Sequence, residues 1–211
     1  MSREHTCSLT TGILLLSGGI ESTTLLHDRH GPTLAAIFID YSQRAVRHEA
    51  LAARRHCDLL GIPMTVLDAH AIGRDINARR PARFHVPLPG RNLFILGTGV
   101  NWALAARATH LYLGVNAEDG ERDPSASPGS LARLAAVINE VTGIHIEAPY
   151  LSFSKSEIVR LGIGLGVDYA RTYSCLRGRK RHCGRCPQCL ARRAAMSRAG
   201  IDERNDFYES R

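Results

Sequence analysis

Apolar residues fall along the chain in short runs at 12–16, 33–39, 63–67, 110–114 and 144–148. Runs this short, bounded by turn residues, are the mark of strands buried on both faces. Between them, segments 21–30, 43–60, 91–108, 129–141 and 154–165 carry apolar residues at helical spacing and predict helices. In the second of these Ala50, Leu51, Ala53, Leu59 and Leu60 make the apolar stripe, and Gly61 and Pro63 close it. Strand and helix in alternation predict an α/β fold, a doubly wound parallel sheet of five strands covered on both faces. Two stretches break the alternation and read as long loops: 69–89, rich in Arg and Pro, and 118–129, containing GERDPSASPG. From Tyr173 the chain becomes rich in Cys and Arg, which divides it into a main domain over 1–172 and an appendage over 173–211.

Ligands of doubly wound sheets bind beyond the carboxyl ends of the strands. Ser17 to Ser22, Asp40 to Arg44 and Val115 to Asp119 each follow an expected strand, so three distant segments are expected to meet at one rim. The first is the most telling: TGILLLSGGIESTTLL is a buried-type run, a Ser-Gly-Gly bend and a helix opening on Glu21, Ser22, Thr23 and Thr24. Backbone N–H groups of Ser17, Gly18 and Gly19 and the orphan donors of the following helical turn face one concavity that suits anionic oxygens. A Cβ at position 18 or 19 would block the bend and the approach of a phosphate. The loop lacks the Gly-Lys-Ser/Thr ending of a Walker motif. A glycine turn that merely joins strand to helix is the alternative reading.

Bulk properties narrow the class. At 211 residues and 44% hydrophobic content the chain buries a full core, and no run of 18 apolar residues predicts a membrane span. The polar segment 1–11 lacks the apolar stretch of a signal peptide, so a cytoplasmic location is expected. The net charge is +7 and the cations are nearly all arginine, with Lys155 and Lys180 the only lysines. Clusters at Arg74, Arg79, Arg80 and Arg83, and at Arg177, Arg179, Lys180, Arg181 and Arg185, suit nucleotides or other anionic partners, or a solvated surface. No RNA-binding module with interleaved aromatics is visible.

Four of the six cysteines lie in SCLRGRKRHCGRCPQC: Cys175, then Cys183, Cys186 and Cys189 in a CxxCxxC run. That spacing lets a backbone knuckle present sulfurs to one tetrahedral ion, and zinc is the leading metal. Four thiolates leave no open coordination position, so the expected role is structural. An iron–sulfur cluster on the same thiolates, or His182 in place of one cysteine, stand as alternatives. Cys7 and Cys57 are expected to be an exposed and a buried thiol.

The Ser17 loop resembles the SGGxDS loop of the ATP pyrophosphatase (PP-loop) enzymes, and the chain as a whole resembles the 7-cyano-7-deazaguanine synthases, the QueC family. LLLSGGIESTTLL is similar to that family's LLSGGxDSTT, IDYSQRAVRHEALAARR to its FDYGQRHxxELxAA, and LPGRNLFILGTGVNWA to its PGRN helix start. GVNAEDG matches its GVNxxD strand end, SKSEIVRLGIGLGVDYARTYSCLRG its KxEIVxLGxxLGVPxxxTxSC, and HCGRCPQCLARRAAM its CGxCxxCxxR tail. The resemblance implies an adenine nucleotide alpha hydrolase-like catalytic domain over 1–172 and a zinc-binding subdomain over 173–211. It implies ATP-dependent conversion of 7-carboxy-7-deazaguanine and ammonia to 7-cyano-7-deazaguanine through an acyl adenylate.

On this resemblance Ser17, Ser22, Lys155 and Arg91 are the expected catalytic residues. Leu16, Ser17, Gly18, Gly19, Ile20, Glu21, Ser22, Asp40, Gln43, Asn116 and Asp119 are expected to contact the nucleotide or base. Mg²⁺ would bridge phosphate oxygens, and Cys175, Cys183, Cys186 and Cys189 would hold Zn²⁺. Two departures stand out. Glu21 replaces the loop's Asp, and GERDPSASPGSL stands where the family has a YPDCRPEF-like segment, leaving Arg122 and Asp123 as candidate substitutes. Two other functions remain open at this level: a relative that transfers the activated acyl group to a protein or nucleic-acid amine, as in a defence system, and a zinc-ribbon nucleic-acid binder with an inactive loop. A homodimer is the expected assembly.

Overall fold

The structure is a computed structural model that describes residues 10–79, 88–203 and 207–209. Five parallel strands form one sheet in the order β3-β2-β1-β4-β5: β1 Gly12–Leu15, β2 Leu34–Asp40, β3 Met64–Asp68, β4 His110–Leu113 and β5 His145–Glu147. All five coincide with the expected apolar runs. Leu15 of β1 sits in register with Ile37 on one side and Leu113 on the other, so the sheet's order reverses at β1. The crevice above that reversal is where a ligand belongs.

Side chains alternate faces along the strands, and two cores result. Leu14, Ala36 and Phe38 pack with Leu25 and Leu26 of α1 (Ile20–Arg29), Ala53 and Cys57 of α2 (Val46–Leu60) and, further along the chain, Ile158 and Val159. Ile13, Ile37, Leu111 and Leu113 face the opposite way and pack on Leu96 and Val100 and on Leu131. Gly61, at φ 65°, closes α2 as its position in the sequence predicts, and Cys57 is buried.

The described parts of the two expected loops are largely helical. Segment 69–89 holds helix α3 (His70–Arg79), whose Gly73 lies against the Tyr41 carbonyl where a Cβ would collide. Residues 80–87, with Arg80 and Arg83, fall outside the described residues, as does Cys7. After α4 (Arg91–Ala105), segment 118–129 contains most of α5 (Ala117–Arg122), a 3-10 turn at Pro124–Ala126 and the start of α6 (Pro128–Thr142). Side-chain caps start each of these: Asn116, Asp123 and Ser127 accept from the backbone amides of Asp119, Ser125 and Ser130. α7 (Lys155–Gly164) begins on a Ser154–Glu157 capping box, and α8 (Pro187–Arg198) lies within the appendage.

Among the described residues no helix is long and apolar enough to cross a membrane.

Candidate active site

Beyond the β1 and β4 ends lies a cleft of about 260 Å³. Its floor is apolar, with Leu15, Ile37, Ile39, Leu96, Leu113 and Leu131, and its polar rim carries Ser17, Gly19, Glu21, Ser22, Arg91, Asp119 and Lys155. An apolar floor under a cationic and amide-lined rim accommodates a flat ring with an anionic group attached.

The loop at the rim is held by its own hydroxyls. Ser22 Oγ accepts from the Ser17 amide at 3.1 Å and lies 2.9 Å from Ser17 Oγ, which accepts from the Gly19 amide at 3.3 Å. Gly18 has φ 74°, and a Cβ there would run into the Glu49 carbonyl of α2. The Gly18 carbonyl accepts from the Tyr173 amide at 2.8 Å, fastening the loop to the chain just before the cysteines. On the other side a Cβ on Gly114 would come within 2.6 Å of the Ser22 amide, so glycine lets the end of β4 abut the helix start. α1 begins at Gly19 with no side-chain cap, as do α2 and α4, and its start lies at the rim, so its first-turn amides and positive dipole end are presented there. Residues and geometry fit a pyrophosphate.

Glu21, the variant position, ties the site together. Its carboxylate pairs with the Lys155 ammonium and accepts from Asn116 Nδ2 at 2.7 Å. Burial pushes its pKa upward, but the Lys155 charge and hydrogen bonds outweigh burial and hold the carboxyl below the ordinary glutamate value. The longer side chain thus reaches a cation on α7 and an amide at the start of α5. Asn116 is fully buried; its Oδ1 caps the Asp119 amide while Asp119 Oδ2 accepts from its backbone amide. Glu118 accepts from the Lys155 amide at 3.1 Å, locking α5 to α7.

The remaining expected site residues divide. Leu16, Ser17, Gly19, Glu21, Ser22, Gln43, Arg91, Asp119 and Lys155 all line the cleft. Asn116 and Gly18 stand behind them, and the Ile20 side chain enters the core while its amide stays in the first turn of α1. Asp40 is not among the lining residues; its Oδ1 accepts from the Ser42 amide at 2.9 Å and lies 3.8 Å from His70.

The altered segment also reaches the cleft. Arg91 Nη2 donates to Asn92 Oδ1 at 3.0 Å, and Asn92 Nδ2 donates to Asp123 Oδ2 at 2.9 Å and to Ser125 Oγ at 3.1 Å. Asp123 Oδ1 accepts from the Ser125 amide and hydroxyl. Arg91, Asn92, Ser125 and Ala126 line the wall, so Ser125 and Ala126 bring the altered segment to the pocket. Tyr41 and Glu49, two lining residues absent from the expected set, stand near Arg91. Each follows the second strand within a motif read for its Asp and Gln, and nothing in a linear pattern reveals which side of α2 faces the crevice.

In the appendage the sulfurs of Cys175, Cys183, Cys186 and Cys189 lie within 4.8 Å of one another, and all four residues are buried. Backbone amides of Cys183 and Cys186 point at Cys175 Sγ and Cys183 Sγ at 3.4 and 3.3 Å. The arrangement can hold a metal ion. His182 stands outside the sulfur group: its Nε2 accepts from the Ser174 amide at 3.0 Å and its ring stacks on Phe207, which removes it as a substitute ligand. Tyr173, Ser174, Leu176 and Gln188 line the cleft, so the appendage forms one of its walls.

Sheet order, glycine loop and crevice define an α/β protein of the PP-loop ATP pyrophosphatase type. Solved structures share the fold: the U34-tRNA thiolase NcsA from Methanococcus maripaludis with its [4Fe-4S] cluster superposes with TM-score 0.53 at 14% identity, covering 93% of this chain and 67% of that one. NMN synthetase from Francisella tularensis does so with TM-score 0.53 at 12% identity, covering 94% and 81%. Residues 11–200 match the family model of the queuosine biosynthesis protein QueC. The 7-cyano-7-deazaguanine synthase of Methanothermobacter thermautotrophicus is 34% identical over 221 residues, spanning 93% of this chain and 99% of its own, and that of Methanoregula boonei is 32% identical over 206 residues, spanning 89% and 94%. The chain belongs to the QueC family and is an enzyme.

Proposed function

We propose that this chain is an ATP-dependent, AMP-forming C–N ligase that converts 7-carboxy-7-deazaguanine and ammonia to 7-cyano-7-deazaguanine. The observation that carries the reading is the convergence of Ser17, Gly19, Ser22, Lys155 and Arg91 on one crevice of a chain whose relatives bear that name. A carboxylate resists ammonia because oxide is a poor leaving group, whereas in an acyl adenylate the leaving group is AMP. Charge building on the departing pyrophosphate is met by the amides of the α1 first turn, by the Ser17 and Ser22 hydroxyls and by Lys155. Arg91, oriented by Asn92 and Asp123, suits the substrate carboxylate, and the apolar floor suits the deazapurine ring.

Asp119, which lines the cleft, would hold Mg²⁺, and that ion would supply positive charge to the reacting phosphates. Zinc is the proposed occupant of the cysteine group. A tetrahedral ion with Zn–S bonds of about 2.3 Å sets sulfurs about 3.8 Å apart, in keeping with the Cys183–Cys189 separation of 4.0 Å, whereas a cubane iron cluster spreads its thiolates farther. We place the catalytic domain at 1–172 and the zinc subdomain at 173–211, in a cytoplasmic homodimer. Exposed Leu93 and Leu104 on α4, and Val137 and Val141 on α6, support the dimer.

The test is incubation with ATP, Mg²⁺ and ammonium, with and without the carboxylated deazapurine, followed by mass spectrometry. AMP and nitrile that appear only with the deazapurine support the reading. Adenylate formed without nitrile supports transfer to a protein or nucleic-acid amine instead, and no turnover of ATP removes the ligase reading.

A further inference from the structure

Glu49, in the first turn of α2, lines the cleft and has no part in the pyrophosphate cradle. Its position is fixed from two sides. Gln43 Oε1 accepts from the Tyr41 amide at 2.9 Å and Gln43 Nε2 donates to the Ile39 carbonyl at 3.1 Å, which sets the orientation of that amide. Its second N–H is thereby aimed at Glu49 Oε2, 3.2 Å away. The backbone carbonyl of Glu49 lies against Gly18, and Glu49 lines the same cleft as Ser17, Gly19 and Ser22.

The groups that face it are Gln43 and Tyr41 from the β2–α2 connection, Arg91 from α4 and Tyr173 from the segment before the cysteines. Lys155, the other cation of the cleft, is engaged by Glu21. Burial pushes the Glu49 carboxyl up to about 7, against the pull of the Gln43 hydrogen bond and the Arg91 charge. A carboxyl poised at neutral pH inside a reaction cleft is suited to accept and release protons.

We infer that Glu49 is the catalytic base of the amination half-reaction, an inference that rests on the ligase reading above. As the ammonia nitrogen bonds to the acyl carbon, the C–O bond to AMP breaks, AMP leaves with its electron pair, and one N–H proton passes to the Glu49 carboxylate. In the second activation the amide oxygen is adenylated, the C–O bond breaks as AMP leaves with its electron pair, and both N–H protons depart as the C≡N bond forms, the first to the Glu49 carboxylate and, once Glu49 has passed it to solvent, the second by the same route. Formation of the adenylate itself transfers no proton from nitrogen, so Glu49 is not required there.

That asymmetry supplies the experiment. Carboxylate-dependent exchange of pyrophosphate into ATP reports adenylation, and amide plus nitrile formation at a fixed concentration of free ammonia reports amination. Glu49→Gln is expected to keep exchange within about threefold while amination falls about a hundredfold or more. In the unsubstituted protein the amination rate is expected to rise through a limb near pH 7 that exchange lacks, a readout that does not depend on how the variant folds. Parallel loss of exchange and amination in a folded Glu49→Gln variant, a higher KM for the deazapurine with kcat unchanged, or the same limb in both assays overturns the assignment. Absence of exchange in the unsubstituted protein instead removes the ligase reading on which it rests.

Discussion

Asn116 Nδ2 donates to Glu21 Oε1 at 2.7 Å, joining the cap of α5 to the one loop residue that departs from its family's pattern. With Lys155 on the same oxygen, the carboxylate is a buried hub between α1, α5 and α7. Lys155→Met leaves that carboxylate buried without its cation, and loss of one partner of a buried pair typically costs about 3 kcal/mol. Because the Glu21 pKa is depressed in the folded protein, the stabilisation is present above the unfolded value and disappears as pH falls through the folded one. Urea unfolding should therefore show a large deficit for the variant at pH 7 that shrinks in acid below the ordinary glutamate range. An equal deficit at both pH values would contradict this.

Removing Ser17 and Ser22 hydroxyls together takes away two donors at the pyrophosphate site and the bonds that shape its loop. The double Ser→Ala variant is expected to lose about 100-fold or more in kcat for carboxylate-dependent pyrophosphate exchange. Exchange at the parent's rate would place the triphosphate elsewhere.

Gly18→Ala forces a Cβ into the Glu49 carbonyl at a left-handed φ of 74°. Backbone strain of this kind costs about 1–3 kcal/mol. Thermal melts should fall, and ATP protection against unfolding should vanish, whereas Gly31→Ala, with nothing within 4 Å, should leave protection intact.

Asp123→Ala removes one of the two acceptors of Asn92 Nδ2, and the partner that orients the other, Ser125, and so loosens the orientation of Arg91 without opening the core. The expected effect is a rise of roughly tenfold in KM for the carboxylated deazapurine, about 1.4 kcal/mol, with KM for ATP unchanged. Steady-state kinetics with each substrate varied in turn decides it; equal effects on both constants would make the loop a general structural element.

Chelation at the cysteine group should do more than loosen the tail. Metal analysis is expected to give one zinc per chain and no iron, and Cys186→Ser should lower both the melting temperature and the exchange rate, since Tyr173, Ser174 and Leu176 form part of the cleft wall. Full exchange in a zinc-free protein would show that wall to be dispensable.

The sheet was legible because each strand is a short apolar run between turn residues, and the glycine loop because its geometry tolerates few residue types. Composition misled at 69–89, where Arg and Pro suggested a loop although His70–Arg79 is helical against Tyr41. The cysteines were legible from spacing alone, yet their neighbours' place in the cleft was not, because the Tyr173–Gly18 hydrogen bond spans most of the chain. Glu49 escaped notice for a similar reason. A glutamate in the first turn of a helix is ordinarily a dipole partner, and only the folded cleft, which Glu49 lines beside Gln43, reveals that it faces inward.

The backbone bond from Tyr173 to Gly18 carries a consequence for how the protein is made. Tyr173 follows Gly18 by more than 150 residues, so the glycine bend is synthesised well before the segment that fastens it. A nascent chain therefore displays the bend unfastened until the Tyr173 segment has been made, and the cleft wall that this segment supplies is the later of the two to arrive.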